Sequence, residues 1–118
     1  MWPIDYEHIS TWLHKLDNED IDNIYAALEI LESEGPNLGR PLVDTLEHTN
    51  VHNLKELRPA STGGSEIRIL FAFDTSREAI LLVGGDKSKG KNTKEKWNNW
   101  YRKAIPEAEK IFREHQSK

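Results

Sequence analysis

The chain contains no cysteine among its 118 residues, which excludes a disulfide framework and a metal site built on thiolates. Its longest apolar runs, such as residues 79–83, fall far below the roughly 18 residues that a membrane-spanning helix needs. The opening M-W-P-I has neither the basic start nor the apolar stretch of a secretory signal. These absences predict a cytoplasmic protein without membrane association, folded as a single domain over residues 1–118.

Charge is abundant but unevenly distributed along the chain. The formal net charge is −4, yet residues 1–65 hold four basic and twelve acidic residues, whereas residues 66–118 hold twelve basic and eight acidic ones. Residues 87–103 alone carry seven basic residues and one acid. Because charges act over a Debye length of about 8–10 Å, the local excess matters more than the total. Two interpretations fit this segment: contact with a nucleic acid, or a solvated lysine-rich loop.

One stretch within that segment comes close to a nucleotide-binding motif. Residues 85–92 read G-D-K-S-K-G-K-N, one hydroxyl short of the phosphate loop G-x-x-x-x-G-K-[ST], because Asn92 stands at the hydroxyl position and Thr93 comes one place late. A phosphate loop follows the first strand of a parallel sheet, whereas these glycines follow the last predicted strand. The sequence therefore argues against nucleotide hydrolysis.

Apolar periodicity predicts two N-terminal helices. The first covers residues 6–16 with Asp5 as a possible cap, and the second runs from residue 18 until Gly35 and Pro36 stop it. Their short link predicts a helical hairpin. Trp12 and Tyr25 are both assigned to its core.

Beyond the hairpin the period changes. Residues 37–53 look irregular, and strands are predicted at 54–58, 66–73 and 79–83, followed by one helix over 94–103 and another starting near Pro106. His48 and His52 are four apart with no third ligand nearby, so no metal site is predicted. The order of elements is typical of an α+β fold, with the helical hairpin packed on a small twisted antiparallel sheet and with C-terminal helices.

The alternation of the middle predicted strand, residues 66–73, places one basic residue, Arg68, on the face opposite its apolar residues. Ile67, Ile69 and Phe71 point to one face, and Arg68 points to the other, where it is expected to project into a cationic hollow. There Arg58, Arg68 and Lys87 would suit RNA phosphates. The alternative, equally open from the residues alone, is that Arg58 or Arg68 forms an ion pair with Glu56 or Glu66 across the sheet.

Several ordered motifs resemble one protein family. They are G-P-N-L-G-R-P-L-V-D at 35–44, N-L-K-E-L-R-P at 53–59, I-R-I-L-F-A-F-D at 67–74, L-L-V-G-G-D-K at 81–87, W-N-N-W-Y at 97–101 and I-P-E-A-E at 105–109. Together they resemble the RelE/ParE superfamily, specifically the HigB or phage Gp49-like branch of type II toxin–antitoxin toxins. The resemblance covers nearly the whole chain.

This resemblance implies a RelE-like, microbial RNase-like fold and a ribosome-dependent mRNA endonuclease, or mRNA interferase, that inhibits translation. It also implies a cognate HigA-like antitoxin with a helix-turn-helix that neutralises the toxin, in a possible hetero-oligomer. Cleavage of this kind uses the substrate's own 2′-hydroxyl and needs no metal or other cofactor.

Carried over residue by residue, the resemblance implies catalytic roles for Arg68, Lys87 and Tyr101. Arg68 would stabilise phosphate charge, and Lys87 follows the last strand where relatives often carry a basic residue. Tyr101 would stack on a base or assist proton transfer, although a place in the core fits equally. The residues expected to bind RNA are Arg58, Lys89, Lys91 and Lys94. Arg58 has an alternative role as a buttress of the sheet.

Two departures from the family favour other functions. Glu56 stands on a strand where relatives commonly carry another basic residue; an acid there would repel phosphate or serve as a base. The acidic net charge is also unusual for a ribosome-dependent toxin. Both departures favour a non-catalytic module that binds an antitoxin in a repressor complex. A ParE-like poison of DNA gyrase, which would share the fold without cutting RNA, is the other alternative.

Overall fold

The computed structural model describes residues 1–61, 64–88 and 93–118, with the backbone alone for 93–98. Within these ranges the fold is α+β, with three α-helices and a five-stranded open sheet. The helices are α1 Ser10–His14, which follows a 3-10 turn at Glu7–Ile9, α2 Asn18–Glu34 and α3 Thr93–Gln116. The strands are β1 Ile4–Asp5, β2 Val43–Thr45, β3 Lys55–Leu57, β4 Ile67–Phe73 and β5 Ala79–Asp86. This arrangement is compatible with a RelE-like fold.

The sheet is mixed, with strand order β1-β5-β4-β3-β2. Strands β2 to β5 form an antiparallel meander, but β1 pairs parallel with β5, placing Ile4 opposite Ala79. The prediction of an antiparallel sheet is therefore wrong at this edge. β2 also lies in a segment expected to be irregular. Three residues show little alternation, so β2 was missed, whereas β3, which is equally short, was predicted because Pro59 and a turn follow it.

Each face of the sheet carries its own core. The alternation of β4 predicted which of its residues share a face, but the face of Arg68 was expected to form an open hollow. Ile67, Ile69 and Phe71 pack with apolar residues of α1 and α2 on one face. Leu70 and Ala72 pack on the other face with residues of α3. The residues that α3 contributes there are Ala104, Ala108 and Phe112, all buried. Arg68 shares the α3 face because it lies two residues before Leu70.

The N-terminal helices lie close to their predicted positions. Asp17 caps α2, where its Oδ1 accepts a hydrogen bond of 2.9 Å from the backbone N of Asp20. Gly35 ends the helix at φ +62°, a left-handed conformation that favours glycine. Trp12 packs against the first core, as predicted. Tyr25 does not belong to the core, since it is 45% exposed.

The C-terminal region is one continuous helix, α3, which passes through Pro106. The prediction of two separate helices is therefore wrong. Proline removes one backbone hydrogen bond from the helix interior, and burial of Ala104, Ala108 and Phe112 at i, i+4 and i+8 offsets this cost. None of the helices in the described part of the chain combines the length and apolar character needed to cross a bilayer.

The end of α3 is tied to the turn between β4 and β5. His115 Nε2 lies 2.8 Å from Asp74 Oδ2, and Asp74 also accepts hydrogen bonds from the backbone N of Ser76 and Glu78. Burial alone would raise the pKa of Asp74, but the hydrogen bond with His115 and the two backbone donors lower it below its ordinary value. His115 therefore has a structural partner and lies apart from the site described next.

Candidate active site

A buried carboxylate, Glu56, organises the polar end of the α3 face. It lies opposite Leu70 in the β3–β4 pairing, which places its side chain on the same face as Arg68. Glu56 Oε1 accepts a hydrogen bond of 2.9 Å from Arg58 Nε, and Oε2 accepts one from the hydroxyl of Tyr101. Arg68 Nε lies 3.7 Å from Oε1. We call Glu56, Arg58, Glu66, Arg68, Lys87 and Tyr101 the charged cluster.

Arg68 lies within this cluster and does not stand open to solvent. Its Nη1 donates to the carbonyl of Ile67 at 2.8 Å, its Nη2 donates to Glu66 Oε2 at 3.3 Å, and its side chain is only 13% exposed. The open hollow expected around Arg68 is therefore largely filled by neighbouring side chains. The ion-pair interpretation of Arg58 and Arg68, with Glu56 and Glu66 as partners, is confirmed.

Lys87 joins the cluster from the residue after β5. Its Nζ lies 3.8 Å from Glu66 Oε2 and 5.6 Å from the centre of the Tyr101 ring, and its side chain is 11% exposed. Burial, together with the nearby positive charge of Arg68, lowers the pKa of Lys87 below its ordinary value. Lys87 therefore releases its proton more readily than a surface lysine.

Tyr101 reaches the cluster from α3. Burial, and then its hydrogen bond with Glu56, raise the pKa of Tyr101 well above its ordinary value. The phenol consequently keeps its proton and acts as a hydrogen-bond donor. Its ring also meets Trp100 edge to face, with 5.0 Å between the ring centres. Tyr101 thus packs on the sheet while its hydroxyl belongs to the site.

Arg58 connects the cluster to the edge of the sheet. Besides Glu56, its Nη2 contacts Asp44 Oδ2 at 3.3 Å, and Asp44 in turn receives two hydrogen bonds of 3.1 Å from Arg40. The hydrogen bond from Arg40 is the main reason that the pKa of Asp44 is lowered. Hydrogen bonding to Glu56 likewise raises the pKa of Arg58. These contacts support the buttress role for Arg58, which joins β3 to β2.

The side chains of the three lysines expected to bind RNA lie outside the described parts of the chain. Lys89 and Lys91 lie outside the described residues. Lys94 lies in α3, but only its backbone is among the described parts of the chain. Their roles stay predictions.

Gly84 and Gly85 make room for two indole rings. A Cβ on Gly84 would lie 2.2 Å from the ring of Trp12, and a Cβ on Gly85 would lie 2.2 Å from Nε1 of Trp100. The two rings approach β5 from opposite faces of the sheet, because neighbouring residues of a strand point to opposite sides. Sequence reasoning missed this role, although a G-G pair in a strand of a tryptophan-rich chain was an available signal.

Replacing Gly85 with alanine is expected to destabilise the fold by about 1–3 kcal/mol, since the added methyl group must displace Trp100. Because Trp100 adjoins Tyr101, the change also disturbs the Tyr101–Glu56 hydrogen bond. Urea unfolding measures the first effect, and ultraviolet titration of tyrosine measures the second as a lowered pKa of Tyr101. Gly84→Ala is the matched control, since it displaces Trp12 and leaves the Tyr101 pKa unchanged. Equal Tyr101 titration in both variants would contradict this account.

A separate surface groove of about 560 Å³ lies away from the cluster. It runs between the β2–β3 connection and the end of α3, and its lining includes His52, Lys55, Phe73, Phe112 and Arg113. No residue of the charged cluster lines it. The groove is therefore separate from the charged cluster.

Comparison with known proteins identifies the family. Residues 11–113 match the family described as "Phage derived protein Gp49-like". The chain is 49% identical over 114 residues to a Mycobacterium tuberculosis protein named "Putative toxin HigB2", and 46% identical over 101 residues to one named "Putative toxin HigB3". These alignments cover 97% and 86% of this chain, and 54% and 81% of the two relatives. The chain thus spans about half the length of the first relative.

The family match covers most of the chain, including every residue of the charged cluster. The motifs that suggested the RelE/ParE superfamily lie largely within the same matched region. The chain belongs to the Gp49-like family, in the HigB branch of the RelE/ParE superfamily.

Proposed function

We propose that this chain is the toxin of a type II toxin–antitoxin pair and acts as an endoribonuclease that cuts mRNA on the ribosome. The observation that carries the proposal is the meeting of Arg68, Lys87 and Tyr101 around Glu56, from three separate segments of the chain. The names of the two mycobacterial relatives support the assignment as a toxin. The proposed ribosomal substrate places the protein in the cytoplasm, and the proposed inhibitor is a HigA-like helix-turn-helix antitoxin.

The proposed reaction is an internal transesterification of RNA. The 2′-oxygen attacks the adjacent phosphorus as the bond from phosphorus to the 5′-oxygen breaks, which leaves a 2′,3′-cyclic phosphate on one fragment and a 5′-hydroxyl on the other. One proton leaves the 2′-hydroxyl and one must reach the departing 5′-oxygen. Negative charge increases on the phosphate oxygens in the transition state.

The cluster offers one group to stabilise the charge on the phosphate and another to donate a proton to the 5′-oxygen. Arg68 carries a permanent charge in a planar fork, which suits two phosphate oxygens at once. Its Nη1 bond to the Ile67 carbonyl holds the fork in place before the substrate binds. Lys87, with its lowered pKa, is the proposed donor of the proton to the 5′-oxygen. Tyr101 keeps its proton and holds Glu56.

Induced expression in bacteria, followed by mapping of mRNA 5′ ends, tests this function. We expect growth to stop and new ends bearing 5′-hydroxyls to accumulate at codon positions within translated messages. Co-expression of the proposed HigA-like antitoxin should restore growth. Double-strand breaks in DNA without such mRNA ends would instead support the gyrase-poison alternative.

A second function, a non-catalytic module that binds its antitoxin in a repressor complex, is favoured by one observation. Each arginine of the cluster already pairs with a carboxylate, and Arg68 is largely buried. Harmless expression, combined with tight binding of the antitoxin and its operator DNA, is the outcome that distinguishes this function from the first.

A further inference from the structure

Glu66 immediately precedes β4 and has a fixed backbone but a partly free side chain. Its backbone N donates to Asp86 Oδ1 at 3.0 Å, and its carbonyl accepts from the backbone N of Lys87 at 3.0 Å. The side chain is 35% exposed. Glu66 can therefore change its side-chain rotamer without moving the strand.

The carboxylate of Glu66 lies between two cations of the cluster. Its Oε2 is 3.3 Å from Arg68 Nη2 and 3.8 Å from Lys87 Nζ. A carboxylate and a phosphodiester each present two oxygens that share one negative charge, and both accept hydrogen bonds from a guanidinium fork. Glu66 thus holds the place that a substrate phosphate would take between these two residues.

We propose that Glu66 is an internal competitor of the substrate. It occupies the anion position between Arg68 and Lys87 in the free protein, and a phosphodiester of single-stranded RNA must displace it to bind. The inference deepens the proposed function and rests on it for the identity of the ligand. Glu66 thereby sets the affinity of the site for RNA.

The structure shows why Glu66, and not Glu56, is the carboxylate that leaves. Glu56 is buried and receives hydrogen bonds from both Arg58 and Tyr101, so its movement would leave buried donors without a partner. Among the described residues, the carboxylate of Glu66 contacts Arg68 and Lys87 through one oxygen, Oε2. When it leaves, Arg68 Nη2 and Lys87 Nζ lose this carboxylate, and the incoming phosphate takes its place.

Arg68 is arranged to remain in position during this exchange. Its Nη1 stays bonded to the Ile67 carbonyl, which is part of the β4 backbone. Its buried Nε has no hydrogen-bond partner among the described residues. An unsatisfied buried donor is uncommon in folded proteins, and this one lies 3.7 Å from Glu56 Oε1, so Arg68 keeps the Glu56 carboxylate nearby when Glu66 leaves.

The test compares the wild-type chain with Glu66→Gln, which removes the charge and nearly keeps the shape. Two probes are titrated: inorganic phosphate, followed by NMR through the Arg68 Nε–H resonance, and a single-stranded RNA decamer with 2′-O-methyl riboses that block cleavage. We expect Glu66→Gln to bind both about two- to fivefold more tightly, the range typical of partly exposed ion pairs. The difference should shrink as salt is raised.

Glu29→Gln is the matched control, because Glu29 is exposed on α2 and the substitution makes the same change in net charge. It should leave both affinities unchanged. Equal gains in the two variants would overturn the proposal, since net charge alone would then explain them. Equal affinities in wild type and Glu66→Gln would overturn it as well.

The two probes separate this inference from the proposed function. Tighter phosphate binding by Glu66→Gln, with no binding of RNA by either protein, would support the competitor role and count against an RNA substrate. RNA binding that is the same in both proteins would support the RNA substrate and overturn the competitor role. Absence of any response of Arg68 to phosphate or RNA would overturn both.

Discussion

Replacing Arg68 with alanine is expected to lower the rate of mRNA cleavage by about 10²- to 10³-fold, the usual loss when one preorganised donor to a transition-state oxyanion is removed. The guanidinium is held by Ile67 and Glu66 before the substrate arrives, so its donors are preorganised for the phosphate. Growth inhibition should disappear with the cleavage. Primer extension on ribosome-bound mRNA measures the rate, and colony counts after induction measure the toxicity.

The control for Arg68→Ala is Arg113→Ala, which removes the same charge from an exposed position near the end of α3. This variant should remain toxic. Circular dichroism and binding to the antitoxin establish that Arg68→Ala still folds, as expected because Glu56 keeps Arg58 and Tyr101 as partners. Full toxicity of Arg68→Ala would show that the phosphate role is wrong.

Arg68→Lys separates charge from geometry. An ammonium group keeps the positive charge but cannot hold the Ile67 carbonyl and two phosphate oxygens in the fixed plane of a guanidinium. We expect the variant to fold, to bind the RNA decamer nearly as well as wild type, and to lose most of its cleavage rate. Cleavage equal to wild type would indicate that Arg68 acts as a point charge.

The parts of the fold that repeat a period could be predicted from the sequence. The alternation of β4 predicted which residues face each core, and the stripe of α2 predicted that helix and its end at Gly35. The parallel pairing of β1 and the presence of β2 could not be predicted, because each depends on a partner strand that lies elsewhere in the chain. The single helix α3 was hidden by Pro106, whose local preference is overridden by packing against the sheet.

The convergence of side chains on the α3 face was predicted, but their pairing with one another was left open. Arg58, Arg68 and Lys87 do converge, as the order of strands implied. Glu56 was expected to repel phosphate, to serve as a base or to pair with an arginine, and the structure shows it paired with Arg58 and hydrogen-bonded to Tyr101. Whether an arginine faces solvent or a carboxylate depends on side-chain contacts across strands and on α3, which a one-dimensional pattern does not contain.

Removal of the carboxylate of Glu56 is expected to have the largest effect on stability. In Glu56→Ala the guanidinium of Arg58 and the hydroxyl of Tyr101 both lose their acceptor in a buried setting. Removing one partner of a buried ion pair lowers the free energy of unfolding by about 3–5 kcal/mol. Because Arg58 is partly exposed, we expect a loss near the lower end of this range, about 3 kcal/mol. Urea unfolding of the variant and the wild type measures this difference. Asp44→Ala is a suitable control, because it removes an acceptor from Arg58 at the more exposed edge of the cluster and should cost less.

Glu56→Gln gives a second, more specific readout through Tyr101. The glutamine amide keeps one acceptor oxygen, so it cannot serve both Arg58 and Tyr101, and we expect a loss of about 1–3 kcal/mol. The pKa of Tyr101 should fall toward its ordinary value but stay above it, because burial, the larger cause of its raised pKa, remains. Ultraviolet titration of this variant against Tyr101→Phe isolates the signal of this one phenol.

The same contact fixes the direction of a pH effect on stability. An unfolded tyrosine loses its proton near pH 10, whereas folded Tyr101, with its raised pKa, keeps its proton at higher pH. Above about pH 10 the unfolded chain therefore binds fewer protons than the folded one at this residue, so the free energy of unfolding falls as pH rises. The fall should be steeper in wild type than in Tyr101→Phe, which has no phenol to titrate, and intermediate in Glu56→Gln. Identical slopes in wild type and Tyr101→Phe would mean that the pKa of Tyr101 is not raised in the folded chain, and identical slopes in wild type and Glu56→Gln would mean that Glu56 does not help to raise it.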